Sequence, residues 1–165
     1  MEEGERVTAN KAPALFDQAV QAYQYALQVY TKADMPRYWA IPHLNLEEAD
    51  FAAGRFNNCI QETGIVTNDT AAISYIAVRD TLKLACQLGV GDKGAVLEAE
   101  KLLLSEAPTV QKSRWNSSGA VHVLSTSPAF EKGRTSWIAL FTAVQNGDSA
   151  GLTAALHQLE PFMQH

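Results

Sequence analysis

The stretch "DQAVQAYQYALQVYTKADMPRYWAIPHLNLEEADFAAGRFNNC", residues 17–59, decides the fold. Leu15, Phe16, Ala19, Val20, Tyr23, Ala26, Leu27 and Tyr30 recur at steps of three and four, which places them on one broad stripe of a helix over 13–32. Pro13 suits the first turn of that helix, where its missing N–H costs nothing. Leu44, Leu46, Ala49, Phe51 and Ala52 carry a second helix, ended at Gly54, and a short third helix follows over 55–62. Pro36, Tyr38 and Trp39 stand at the joint between the first two. Trp39 is expected to wedge between neighbouring helices, while Tyr38 is left free to meet a partner.

Helical signals continue outward from this stretch. After "TGIVTND", Asn68 or Asp69 can cap a long helix reaching Leu88, with apolar residues on two faces, as for a helix packed between neighbours. Another helix is predicted over 92–107, stopping before Pro108. Trp137, Leu140, Phe141 and Val144 mark one further helix, and Leu152, Ala155, Leu156, Leu159 and Phe162 the last. The link "NGDS" supplies a terminating glycine, Gly147, and a cap, Asp148, so this pair forms an antiparallel hairpin. Residues 111–127 hold "GAVHVLS", whose alternation suits one short strand; a lone strand needs a partner, so a short helix in a loop is favoured. The fold class is therefore all-α, built of antiparallel helical hairpins in one domain over 1–165, with 1–11 disordered.

The chain has 165 residues, of which 47% are hydrophobic and 19% charged, enough for a sizeable core. No apolar run reaches the roughly 20 residues of a membrane-spanning helix, and the polar start is unlike a signal peptide, so a soluble, cytoplasmic protein is expected. Cys59 and Cys86 have no metal or redox spacing and read as two reduced, buried thiols. A net charge of −5 argues against nucleic-acid binding. Lys112, Arg114, Lys132 and Arg134 nonetheless cluster in sequence near Trp115 and Trp137. A solvated polar face is the plain reading of these cations; the sharper one is a site for a small anionic ligand.

Catalytic and cofactor signals are thin. "GVGDKG" matches the G-x-G-x-x-G spacing of dinucleotide-binding loops, but that chemistry needs a strand before the glycines, and here the preceding segment is helical. A helix-helix turn is expected instead, with Gly89 in the left-handed terminating conformation and Asp92 capping the next helix. His43 and Glu47 sit one helical turn apart and could share a metal or a proton, but two ligands make a poor site. His122, His157 and His165 have no partner at motif spacing, and Ser117 and Ser118 lie in no nucleophile turn. No cofactor, metal or catalytic set is assigned; an enzyme would need a polar pocket joining His43 or His122 to a carboxylate. Among the aromatics, Tyr23 and Trp137 are assigned to packing, and Tyr25, which points off the first stripe, to the surface.

Residues 16–62 resemble the tetratricopeptide repeat. Ala19, Tyr23, Ala26 and Leu27 match the second helix of a repeat. Pro36, Trp39, Ala40, Asn45, Leu46, Ala49, Gly54 and Phe56 match the start of the next, with Cys59 where alanine is usual. Glu47 stands in place of a glycine, and Pro42 predicts a kink or restart inside the helix. The resemblance implies function by binding: hairpins stack into a surface that takes a protein or peptide partner. Carried over to this chain, the inner-face positions are Leu44, Glu48 and Phe51, with Tyr25 and Tyr38 as further contact candidates. A chain beginning on the second helix of a repeat suggests an excised piece or a divergent N-terminus, whose exposed first layer self-association or a neighbouring domain would cover.

Overall fold

The structure, a computed structural model, describes residues 15–163. Among the described residues eight α-helices follow one another: α1 (Glu2–Val29), α2 (Pro36–Ala52), α3 (Phe56–Ile65), α4 (Ile73–Val90), α5 (Lys93–Glu106), α6 (Ser118–Thr126), α7 (Arg134–Asn146) and α8 (Ser149–Met163). No strand occurs among the described residues. The expected disorder over 1–11 and the first-turn role of Pro13 lie outside the described residues.

Local sequence explains most of the boundaries. Pro36 opens α2, and Gly54, with φ 71°, turns the chain out of it. Pro42 sits inside α2 without ending it, so the predicted restart does not occur. Asp92 caps α5 by accepting from the Ala95 N–H, and Asp148 caps α8 by accepting from Gly151. The α7–α8 link turns on left-handed Gly147, as its sequence predicts. "GAVHVLS" lies in helix α6.

Two terminus readings need correction. α4 takes no side-chain cap from Asn68 or Asp69; it starts after a Thr67–Thr70 turn in which the Thr70 hydroxyl closes on Thr67. Gly91, not Gly89, adopts the left-handed conformation that ends α4. Gly89 is still helical, and it lacks a side chain for another reason: a Cβ there would land on the Phe56 ring of α3. Phosphate binding gains nothing from either glycine, because the segment before them is helix α4.

Consecutive helices pack as the hairpins α2–α3, α4–α5 and α7–α8, joined by α1–α2 and α3–α4 contacts. An open solenoid would stop at such neighbours. Here α6 also packs on α2, α7 on α4 and α8 on α5, which closes the stack into a bundle. Phe51 lies at the centre, its ring 5.9, 5.8 and 5.7 Å from those of Phe56, Phe130 and Phe141. Trp115 and Trp137 complete this core, and a smaller cluster joins Ala40, Leu44, Val66 and Ala71. The two cysteines are buried but not reduced thiols: Cys59 of α3 and Cys86 of α4 form a disulfide.

Candidate functional site

The structure divides the residues assigned to partner contact. Tyr25 and Tyr38 are 65% and 61% exposed. Tyr38 stacks on Tyr30 at 5.8 Å, tying the start of α2 to the end of α1. Glu48 is half-buried in a cleft of about 230 Å³ between α1, α2 and α6, beside Phe16, Tyr23 and Gly119. Leu44 and Phe51 are buried, so the inner-face assignment is corrected for both. Phe51 would face outward in an open stack, but α7 folds back over it; Leu44 is covered by Val66 and Ala71.

The cations assigned to an anion site do not converge. Ser113, between Lys112 and Arg114, donates its N–H to Gln145 at the end of α7, whereas Arg134 begins that helix. At 1.5 Å per residue the two groups are about 16 Å apart. Arg134 is also engaged, its Nε donating to the Leu124 carbonyl that ends α6. Ser117 donates its hydroxyl to Gln145, and His122 is exposed, which separates the imagined nucleophile from its base.

His43 does meet a carboxylate, but not Glu47. Its Nδ1 lies 2.6 Å from Glu62 Oε2 of α3, while the edge of the Trp39 ring packs on the imidazole. Glu62 in turn lines an open groove of about 530 Å³ between α1 and α3. The lining side chains are Asp17, Val20, Gln21 and Gln24 of α1, Leu46 and Asp50 of α2, then Arg55 and Asn58, Gln61 and Glu62 of α3. Among the described residues the lining offers no hydroxyl, thiol or amine for the His43–Glu62 pair to activate. Arg55 braces the groove, donating to Asp50 at 2.7 Å and to Asp17 across on α1 at 3.3 Å.

Glu47 instead enters the core, with neither carboxylate oxygen in a hydrogen bond. Burial, reinforced by the negative charge of Asp80, holds its pKa well above the ordinary value and so favours the protonated carboxyl. Asp80 is clamped by Arg79, which donates Nε and Nη2 to its two oxygens at 2.8 Å and Nη1 to the Val66 carbonyl. Glu106, against Asp80, is pushed up to about 8, chiefly by burial and then by the Asp80 charge. Burial likewise raises Glu48 to about 7; the Trp115 indole N–H opposes this from outside good hydrogen-bonding geometry. Among the described residues no group of three or more His, Cys, Asp or Glu is disposed to hold a metal ion.

These arrangements define an all-helical module with a polar groove between α1 and α3 and exposed tyrosines on its first layer. Compared with protein-family models, curated proteins and solved structures, the chain matches none. The repeat resemblance therefore rests on its own residues. Sequence reading missed the groove: the amides Gln21, Gln24, Asn58 and Gln61 were visible at i,i+3 spacing, but their meeting depends on the register of α1 against α3.

Proposed function

We propose that the chain is a non-catalytic protein-interaction module of tetratricopeptide-like type, which engages its partner through the first helical layer. One observation carries this reading. Of the twelve exposed large apolar side chains among the described residues, six fall between residues 15 and 41: Leu15, Tyr25, Val29, Met35, Tyr38 and Ile41. The described part of α1 contributes no fully buried side chain and packs chiefly on α2. Exposed aromatic and aliphatic groups gathered on one layer are typical of contact surfaces.

No helix among the described residues is long and apolar enough to cross a membrane. The expected cytoplasmic setting drew on the lack of an apolar spanning run and of a signal-peptide pattern; the Cys59–Cys86 disulfide instead favours folding in an oxidising compartment. The function is tested by affinity capture and mass spectrometry with the wild-type chain and a Tyr25→Ser/Tyr38→Ser variant, followed by calorimetry with the recovered protein. A partner lost in the variant, with unchanged melting, supports the reading. Capture that is indifferent to both substitutions removes it.

A further inference from the structure

The groove between α1 and α3 carries a more specific assignment, which rests on the partner-binding reading and names the partner's chemistry. α1 and α3 each run antiparallel to α2 and so parallel to one another. The Asp17–Arg55 ion pair fixes their register at an offset of 38 residues. Within one residue of that offset, Gln21 comes level with Asn58 and Gln24 with Gln61, and all four line the groove. Each wall thus carries two exposed primary amides at i,i+3, rising about 4.5 Å along the groove. The internal bonds around the groove run through charged groups, Arg55 to Asp50 and Asp17, and His43 to Glu62. The amides face the open space.

A primary amide presents a carbonyl acceptor and an NH2 donor on one short fork. An extended peptide presents the same alternation of C=O and N–H along its backbone, at about 3.3 Å per residue. Two opposed rows of amides can therefore hold a peptide backbone without reading its side chains. The charge in the groove selects among peptides: Asp17, Asp50 and Glu62 outnumber Arg55. This bias favours lysine or arginine in the ligand and repels nucleic acid. The floor, Val20 and Leu46, is too small an apolar area to be the main attraction for an amphipathic helix.

We propose that the α1–α3 groove binds an extended, basic peptide segment of a partner protein, its backbone held by Gln21, Gln24, Asn58 and Gln61 and its cationic side chains by Asp17 and Glu62. The test is fluorescence anisotropy of the full chain with three labelled octapeptides. One alternates lysine and valine, one alternates glutamate and valine, and the third is the lysine peptide N-methylated at every second backbone nitrogen. The lysine peptide is expected to bind at least about ten-fold more tightly than the glutamate peptide. N-methylation, or Gln24→Ala/Gln61→Ala in the protein, should each weaken it by about five- to ten-fold, the effect of losing one to two hydrogen bonds. Both glutamines are exposed, so the double variant should melt like the wild type. Equal affinity for the two charge patterns, indifference to the amide substitutions, or no binding at millimolar peptide overturns the groove assignment. If capture of a partner still depends on Tyr25 and Tyr38 in that event, the interaction reading survives without it.

Discussion

At the scale of single residues, Glu47 shows what a carboxyl does where the core encloses it. It cannot reach water, and its buried oxygens find no donor. Taking the proton is the least costly state for it. The linkage has a definite sign. Glu47 and Glu106 both keep protons in the folded chain at pH values where the unfolded chain has released them. Below about 4.5 both states are protonated, and the groups have no effect on stability. For Glu106 the unfolded state is increasingly favoured as pH rises from there to about 8, so its contribution to stability falls across that window; Glu47, raised in the same direction, deepens the decline above the ordinary carboxylate range. Urea titrations from pH 5 to pH 8 should show this decline, and Glu47→Gln should make it shallower. A flat profile, or an identical slope in the variant, would place Glu47 in contact with water. Phe51 makes a second residue-level case. Phe51→Ala should cost about 3–5 kcal/mol, as for a large core aromatic, whereas Tyr25→Ser should stay within about 0.5 kcal/mol. The ordering of the two midpoints tells a core residue from a contact residue.

At the scale of elements, helix identity was legible because the apolar residues of α1, α4, α7 and α8 repeat every three to four positions, and local signals such as Pro36, Gly54, Asp92 and Asp148 act within one turn. What tertiary context decides was not legible. Gly89 looked like a terminator because glycine commonly ends helices; only the approach of α3 reveals that the missing Cβ makes room for Phe56. This gives a prediction opposite in sign to propensity. Alanine at a mid-helix glycine ordinarily stabilises by up to about 1 kcal/mol. Gly89→Ala should instead destabilise by about 1–3 kcal/mol, since Phe56 must leave its place. Gly89→Ala combined with Phe56→Leu should recover part of the loss. A stabilised single variant, read by thermal or urea unfolding, would show that α3 and α4 are not in such close contact.

At the scale of the molecule, the hairpins were readable but their closure was not. Contacts of α6 with α2, α7 with α4 and α8 with α5 join residues far apart in sequence, and no local pattern announces them. The partner surface expected at Phe51 fails for this reason, and at Leu44 because Val66 and Ala71 of the α3–α4 link cover it, whereas Tyr25 and Tyr38, whose exposure depends on the first layer alone, remain on the surface. The disulfide was invisible on the same grounds: Cys59 and Cys86 lie 27 residues apart and meet only because α3 packs on α4. The bond crosses the seam between the α2–α3 and α4–α5 hairpins, so it constrains the unfolded chain over a loop of that length. Loop-closure entropy puts its contribution at about 3.5 kcal/mol. A Cys59→Ala/Cys86→Ala variant should therefore melt roughly 10 °C below the oxidised protein for a chain of this size. Both sulfurs are fully buried, so a mild reductant should leave the native chain intact and act once it unfolds. Thiol titration in denaturant of protein made in an oxidising compartment should find no free cysteine; two free thiols, with melting equal to that of the variant, would show that the two helices hold together without the bond.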